Sequence, residues 1–269
     1  MNIYIATYDA NIFIMKYYQY FFNKYWDKDT DVKILGFNPP NFKLEKNFEF
    51  ISLGDKQING PQGWSNHLRN FFENIDDEHF IFGLDDYMVA REVNHKILNV
   101  CKNEITSNKN VGRVDLQCSL RYARSRADVL PYKVIDGVRF LKLKHDIDIY
   151  SRLIYKITCA YSIWRRDYFL DYLWKDASPW EFEELGSAAA QNNKREVIGT
   201  FDDWAVKQIE LLSDKWPNII NIRGLRSDDV KAIKKLQHKK DRIKQFQKVM
   251  NNLDVGYGDW DWEKVIYGD

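Results

Sequence analysis

The chain has 269 residues, of which 45% are hydrophobic and 29% are charged, and its formal net charge is +1. This composition is typical of a globular protein and excludes a disordered or collagen-like chain. Because the net charge is balanced, nothing draws the whole chain to nucleic acid, and we expect no nucleic-acid partner.

The first half of the chain alternates short apolar runs with amphipathic stretches. The apolar runs predict strands over 2–6, 32–35, 48–53, 80–84 and 111–116. The amphipathic stretches predict helices over 12–25, 65–74 and 92–104. We expect Asp9 or Asn11 to cap the first helix and Ser65 to cap the second. This alternation predicts an α/β fold with a mainly parallel central sheet and helices on both faces.

The second half is less regular. Residues 117–150 are rich in Arg and Asp, and we expect them to form an irregular wall over the acceptor side of a site. One or two strands are predicted within 156–164, followed by a helix over 165–174. Ser178-Pro179-Trp180-Glu181 has a helix-start pattern, with a Ser cap, Pro in the first position and Glu three residues after the cap.

The C-terminal part of the chain is strongly basic. Residues 223–248 contain ten Lys or Arg and three Asp, a local charge of +7, and apolar residues at helical spacing predict a long amphipathic helix over 227–253. We therefore divide the chain into a domain over 1–222 and a basic helical extension over 223–269. The extension has three candidate roles: packing on the domain, pairing with a second copy in a homodimer, or lying on an anionic membrane surface.

The cysteine pattern and the N-terminus bear on location. Cys101, Cys118 and Cys159 fit neither a zinc site nor a disulfide framework, which indicates reduced thiols. The first residues lead directly into a strand, without the pattern of a signal peptide. We expect a cytoplasmic protein, with peripheral contact to the inner face of the membrane if the basic helix binds lipid.

Polar residues follow two of the predicted strands. Thr7-Tyr8-Asp9 and Asp85-Asp86 come directly after apolar runs, and ligands of open α/β sheets bind beyond the carboxyl ends of the strands. Carboxylates suit Mg²⁺ or Mn²⁺, and such an ion can bridge the oxygens of a diphosphate. The alternative is that Asp85 and Asp86 only cap the next helix or form a turn.

A glycine-led helix start precedes the acidic pair. The amino end of a helix attracts phosphate, and Ser65 and Arg69 lie near this one. The alternative is an ordinary helix with a surface arginine. Tyr8 and Trp64 are candidates to stack on a nucleobase, although either ring could simply belong to the core.

Taken in order, these motifs resemble a known family. Ile5-Ala6-Thr7-Tyr8-Asp9, the Gly-x-Ser helix with Arg69-Asn70, and Phe82-x-Leu-Asp-Asp-Tyr87 look like GT-A glycosyltransferases. Ser162-Ile-Trp-Arg-Arg166 followed by Pro179-Trp-Glu-Phe-Glu183 is similar to a subset of bacterial and phage-encoded enzymes that act on surface glycans. The resemblance covers roughly residues 2–190.

The resemblance implies a nucleoside-diphosphate sugar as donor, a glycan or lipid-linked acceptor, and Mn²⁺ or Mg²⁺ held by Asp86 and Asp85. This chain departs from the usual Asp-x-Asp signature, because its acids are adjacent. Side chains of neighbouring residues start in opposite directions along a strand, so the two acids could have different tasks.

The resemblance also suggests catalytic and acceptor-side residues. Glu183 would be the base of an inverting enzyme, while Asp203, within Asp202-Asp203-Trp204, is a rival base. Trp164 and Trp180 would lie on the acceptor side. A retaining enzyme would need no such base, and the sequence leaves the stereochemistry open.

Two other functions are consistent with parts of the pattern. One is a non-catalytic module that binds a nucleotide or carbohydrate on a GT-A-like fold. The other is a nucleotidyltransferase, which would carry a glycine-rich basic loop after the first strand, and Thr7-Tyr8-Asp9-Ala10 is not such a loop.

Overall fold

A computed structural model describes residues 1–55, 60–117, 120, 129–145, 155–210, 212–213 and 216–220. The chain divides into two compact units, Met1–Gln208 and Ile209–Asp269. The domain boundary expected at 222 and the basic helix expected over 227–253 both lie outside the described residues. In the second unit, the short strands Leu212–Ser213 and Trp216–Ile220 pair in antiparallel orientation.

The first unit is built on a nine-stranded mixed sheet. The strands in the described residues are β1 Ile3–Ala6, β2 Val32–Gly36, β3 Phe48–Ser52, β4 His79–Leu84, β5 Tyr87–Val89, β6 Val111–Asp115, β7 Val129–Ile135, β8 Val138–Leu143, β9 Ser162–Arg165, β10 Glu196–Thr200, β11 Gln208–Glu210, β12 Leu212–Ser213 and β13 Trp216–Ile220. The order of the nine strands in the sheet is β3-β2-β1-β4-β9-β6-β10-β8-β7. Seven of them point the same way, whereas β9 and β8 are antiparallel to both of their neighbours.

Five α-helices accompany the sheet in the described residues. They are α1 Met15–Tyr25, α2 Trp64–Glu73, α3 His95–Ser107, α4 Arg166–Leu170 and α5 Pro179–Ala189. Short 3₁₀ turns precede α1 and α2 and follow α5, at Ile12–Ile14, Gly60–Gly63 and Ala190–Asn192. The predicted α/β class, with a mostly parallel sheet, is confirmed. No helix in the described ranges is long and apolar enough to cross a membrane.

Aromatic side chains fill the space between the sheet and the helices on one face. Phe72 of α2 stacks on Phe80 of β4, and the ring of Phe169 of α4 is tilted against that of Phe82. Phe182 of α5 packs against Trp164 of β9. Burying rings of this size is a large hydrophobic contribution to stability.

Helix α1 covers the opposite face. Ile81 alternates with Phe80 and Phe82 along β4 and therefore points to the other side of the sheet. Through β1 and β2 it is in register with Phe48, whose ring meets Tyr18 and Phe22 of α1. Helices thus flank both faces, as predicted.

Two predicted helix caps are wrong in detail. The position before the 3₁₀ turn that leads into α1 is Asn11, but its side chain makes no capping hydrogen bond. Helix α2 begins after Gly63, again without a side-chain cap, and Ser65 lies inside its first turn. The Ser178 start of α5 is confirmed as a complete capping box with Glu181, and Pro179 lies at the first position.

The irregular wall expected over 117–150 is also wrong where it can be checked. Residues 118–119, 121–128 and 146–150 lie outside the described part, but β7 and β8 form an antiparallel hairpin. Asp136 and Gly137 turn it, both with positive φ, at 49° and 79°. Only Ser162–Arg165 of the stretch 156–164 is a strand, and the helix expected over 165–174 is limited to Arg166–Leu170.

Candidate functional site

The acidic pair lies at the carboxyl end of β4, beside the carboxyl end of β1. The two strands are parallel, with Ala6 in register with Leu84, and the Asp85 amide donates to the Ala6 carbonyl at 3.1 Å. The next residue of β1, Thr7, donates its hydroxyl to Asp85 Oδ2 at 2.6 Å. The structure therefore joins two of the predicted site residues by a buried hydrogen bond.

Asp85 and Asp86 have different surroundings. Asp85 is 4% exposed, whereas Asp86 is half-buried in the turn between β4 and β5. Burial, and secondarily the charge of Asp86, raises the pKa of Asp85 to about 8, against hydrogen bonds from Thr7 and Asn11 that lower it. In the absence of a bound cation, burial and the neighbouring charge therefore favour the protonated form of Asp85.

Tyr8 and Asp9 follow Thr7 on the rim of this edge. Tyr8 is 46% exposed, and its pKa is raised by burial and by the charges of Asp85 and Asp86. Asp9 binds Asn38, which follows β2, by accepting from its backbone amide at 3.0 Å and its side-chain amide at 2.6 Å. Asp9 thus ties together the loops that follow β1 and β2.

Glu183 projects from α5 to the segment before β9. Its Oε1 accepts from the Thr158 hydroxyl at 2.7 Å and from the Cys159 amide at 2.7 Å. No described residue donates a hydrogen bond to Oε2. Because β9 is antiparallel to β4, the residues before it lie at the edge where β4 ends. Glu183 is therefore held at the same edge as the acidic pair.

The charges of Asp86 and Glu183 both act on the Cys159 thiol. Burial raises the pKa of the Cys159 thiol, and the charges of Glu183 and Asp86 raise it further. Burial also raises the pKa of Glu183, opposed by the Cys159 amide, the Thr158 hydroxyl and the charge of Arg113. One thiol thus experiences both carboxylates, which places Asp86 and Glu183 around Cys159.

Asp203 has a local structural partner. Its Oδ1 accepts from the Trp204 amide at 2.9 Å, and its carbonyl accepts from the Thr200 hydroxyl at the end of β10. Neighbouring Asp202 pairs with Arg139 on the exposed surface. These contacts stabilise the turn after β10, so between the two candidate bases the surroundings favour Glu183.

The start of α2 does not offer the predicted phosphate site. Ser65 is fully buried and bonds to the loop before α5, donating to the Trp174 carbonyl and accepting from the Ala177 amide. Arg69 donates to the carbonyls of Leu173 and Leu170, and to Glu73.

These bonds use the polar groups of α2 to hold α4 and the following loop. Trp64, the first residue of α2, is partly buried and meets the edges of Phe82 and Phe182. Ser65, Arg69 and Trp64 are thus occupied by contacts within the fold.

The two tryptophans expected on the acceptor side differ. Trp164 is fully buried in β9, so the prediction for it is wrong: the ring packs among core aromatics and offers no surface. Trp180, at the start of α5, is 61% exposed. It lies three residues before Glu183, so the two side chains project from neighbouring positions on one side of the helix.

Sequence reasoning missed Thr158, Cys159, Arg113 and Asp115. Asp115 is the last residue of β6 and is buried at 1% exposure, and the available signal was an acid near the end of a predicted strand. Thr158 and Cys159 carry no comparable signal, because their importance comes from the direction of β9. Arg113 interrupts an apolar strand, which is a mark of a buried charge.

The donor set for a divalent cation is small. Among the described residues, no three His, Cys, Asp or Glu side chains lie close enough to form a metal cluster. Mg²⁺ and related ions commonly use one or two carboxylates and complete their shell with water and substrate phosphates. The adjacent carboxyl groups of Asp85 and Asp86 are as many as such a site requires from the protein.

Comparisons with known proteins found similar solved structures but no sequence match. A scan against protein-family models and a search of curated proteins each gave no match. Among solved structures, the chain is similar to the apo-form glycosyltransferase GlyE of Streptococcus pneumoniae TIGR4, with 10% identity and a TM-score of 0.26 over 36% of this chain and 25% of that one.

Two further solved structures are similar to this chain. An active-site mutant of LgtC matches at 10% identity and a TM-score of 0.35, over 64% of this chain and 59% of LgtC. The apo structure of the bifunctional glycosyltransferase WbbM matches at 9% identity and a TM-score of 0.43, over 73% of this chain and 38% of WbbM. The chain spans between a quarter and three fifths of the length of these three proteins.

Proposed function

We propose that this chain is a glycosyltransferase that moves a sugar from a nucleoside-diphosphate sugar to a hydroxyl of a glycan or lipid-linked acceptor. The observation that carries the proposal is the meeting of two acidic groups at one edge of the sheet. The pair Asp85 and Asp86 ends β4, and Glu183 reaches the same edge through Thr158 and Cys159. Such an edge is where ligands of open α/β sheets bind.

The donor half of the site is assigned to the ends of β1 and β4. Thr7 and Asn11 hold Asp85 by hydrogen bonds, which fixes the turn that carries Asp86. Tyr8 exposes its ring beside this pair and is the candidate to contact the nucleoside. Asp9 holds the adjacent loop rather than contacting the donor. Ser65, Arg69 and Trp64 are left out of this half, because their contacts hold α2 in place.

A divalent cation, Mn²⁺ or Mg²⁺, is assigned to Asp86 with Asp85 as the second carboxylate. When bound, such an ion would supply positive charge against the departing diphosphate. Asp85 must lose its proton for this role, because burial and the neighbouring acid raise its pKa to about 8. The tasks of the two acids therefore differ: Asp86 is the more exposed ligand, and Asp85 is the buried one.

Glu183 is assigned as the base that accepts the proton of the acceptor hydroxyl. Two donors fix Oε1, which leaves Oε2 to face a reacting group. A base has to be within hydrogen-bond reach of the proton, and a carboxylate anchored on one oxygen keeps its other oxygen in a defined position. Exposed Trp180 on the same helix offers a flat apolar face for the acceptor sugar.

The donor assignment is tested by thermal unfolding with nucleoside diphosphates and nucleotide sugars, each with and without Mn²⁺. A ligand at a hundred times its Kd stabilises the folded state by about 2.7 kcal/mol, so a donor should raise the Tm of the wild type. We expect Asp86→Asn to lose the part of the shift that needs Mn²⁺. Asp76→Asn is the matched control, because Asp76 is an exposed acid before the other end of β4.

The outcomes separate the alternatives. If no nucleotide raises the Tm of the wild type, the proposed function is wrong. If nucleotides bind but Asp86→Asn and Asp76→Asn respond alike, Asp86 does not hold the cation. Binding without turnover of any nucleotide sugar, even with acceptor, would favour the non-catalytic binding module.

A further inference from the structure

Arg113 is a buried arginine beneath the proposed site. It lies on β6, is 2% exposed, and places its guanidinium over the ring of Trp164 at 5.6 Å from the centroid. Its Nη1 donates to Ser162 Oγ at 2.9 Å and its Nη2 to the Tyr155 carbonyl at 3.3 Å. Its Nε is buried and has no hydrogen-bond partner among the described residues.

An arginine in this position is costly for the fold. Taking a guanidinium out of water is unfavourable unless its charge and its donors are compensated. Here the Nε donor has no hydrogen-bond partner among the described residues, and burial lowers the pKa of the guanidinium because it disfavours the charged form. Three groups act on its charge in the opposite direction: Asp115, Tyr168 and Glu183.

The bonds of Arg113 hold both ends of one peptide segment. Tyr155 and Ser162 are the two ends, and the segment 155–162 runs between them. Thr158 and Cys159, in its middle, are the residues that bind Glu183. The segment that binds Glu183 is therefore held at both ends by hydrogen bonds from the guanidinium of Arg113.

A second contact from α5 fixes the same segment. The Ser187 hydroxyl accepts from the Ile157 amide at 3.0 Å and donates to the Ile157 carbonyl at 3.1 Å. Glu183 and Ser187 are four residues apart and thus on the same side of α5. The segment is consequently held from α5 at its middle and from Arg113 at its ends.

The charge of Arg113 also acts on Glu183. Among the residues that the structure describes, the titratable groups that act on Glu183 or feel its charge are Arg113 from β6, Glu184 from its own helix, and Tyr155 and Cys159 from the segment. Arg113 favours the carboxylate form of Glu183, and Glu184 disfavours it. Loss of the arginine would leave burial and Glu184 acting together on a carboxyl that already has a raised pKa.

We propose that Arg113 is a positioning residue for Glu183, holding the segment that anchors this carboxylate and keeping a positive charge behind it. This inference rests on the proposed function in one respect, that Glu183 is the group whose ionised form the reaction needs. Arg113 itself would touch neither donor nor acceptor.

The test compares Arg113→Met with Arg113→Lys and with Arg165→Met. Arg165 is a buried arginine on β9 that bonds to the Val111, Ile105 and Asn108 carbonyls and to no acid of the site, so it is a matched control. The titration of Glu183 is followed by NMR of protein with ¹³C-labelled glutamate carboxyls. Its signal is assigned by its absence from Glu183→Gln.

We expect Arg113→Met to raise the pKa of Glu183 by about one unit or more, the usual influence of a nearby opposite charge. The acid limb of kcat/KM should move to higher pH by the same amount. Arg113→Lys keeps the positive charge, so the pKa of Glu183 should stay close to its wild-type value. Arg165→Met should lower the Tm without changing the pKa of Glu183. If Arg113→Met does not fold, Arg113→Gln removes the charge while keeping a donor for the Tyr155 carbonyl, and it must show the same shift.

An unchanged Glu183 titration in the folded Met or Gln variant would overturn the inference, since Arg113 would then have a structural role alone. Failure of the proposed function gives a different result. In that case no nucleotide would raise the Tm of the wild type, or Glu183→Gln would retain turnover, while the carboxyl titration would still report whether Arg113 acts on Glu183.

Discussion

Glu183 and Glu184 are neighbours on α5 with opposite surroundings. Glu183 is partly buried and anchored by the Thr158 hydroxyl and the Cys159 amide, whereas Glu184 is exposed. The pair therefore provides its own control, because the same change of charge can be made at both positions with different consequences for the site.

We expect Glu183→Gln to lower kcat by about 10²–10⁴-fold, the usual contribution of a general base, and Glu184→Gln to leave it unchanged. Burial raises the pKa of Glu183, so activity should be present above that pKa and lost as the pH falls through it, at a higher pH than for an ordinary glutamate. Initial rates of nucleoside-diphosphate release across pH measure both effects. Equal activity of the two variants would exclude Glu183 as the base.

At the scale of elements, α5 delivers both Glu183 and Trp180. Its capping box and its first-position proline fix where the helix starts, and hence which side chains face the segment 155–162. Trp180 is then left with 61% of its surface exposed, next to the turn of helix that carries the candidate base.

Replacing Trp180 with Ala tests the acceptor side. Loss of an aromatic face should raise the KM for the acceptor by about 2- to 10-fold while leaving the KM for the donor unchanged. Trp174→Ala is the control, because Trp174 is also exposed, at 36%, but uses its Nε1 to bond the Asp171 carbonyl. A similar rise in both variants would mean that Trp180 has no specific part in acceptor binding.

The elements differ in how far the sequence predicts them. Strands β1, β2, β4 and β6 follow from their apolar runs, and the start of α5 follows from local capping chemistry, which needs no tertiary contact. The hairpin of β7 and β8 was missed because no residue of β7 is buried, so its apolar and polar residues do not alternate between a core face and a solvent face. Ser65 and Trp164 were misassigned because burial by partners distant in sequence is invisible in a local pattern.

For the candidate site, Thr7, Asp85 and Asp86 could be predicted from the sequence because they follow apolar strands, and the carboxyl ends of parallel strands meet at one edge of the sheet. The anchor of Glu183 could not be predicted, because it depends on β9 lying between β4 and β6 in the reverse direction. That placement is a property of the whole sheet and has no signature within residues 155–165.

At the scale of the whole molecule, the space around two glycines of the sheet shows how closely the neighbouring side chains pack against it. A Cβ at Gly112 of β6 would lie 2.6 Å from the Tyr168 ring of α4, a ring that is fully buried and cannot move away. A Cβ at Gly83 of β4 would meet Ile5 and Tyr161 at 3.5 and 3.6 Å, which is ordinary contact.

We expect Gly112→Ala to destabilise the fold by about 1–3 kcal/mol through overpacking, and Gly83→Ala to have a smaller effect. Urea unfolding followed by tryptophan fluorescence measures both variants. If the two substitutions cost the same, the close approach of α4 to β6 is not as tight as described.

The reversed direction of β9 gives this strand an unusual sensitivity to length changes. A slip of one residue against β4 would turn every side chain of β9 to the opposite face of the sheet. Side chains that now face one layer of helices would then face the other layer. Ser162 would then leave Arg113, and the peptide before it would present different groups to α5. Insertions and deletions between 155 and 165 should therefore abolish activity even where the chain still folds.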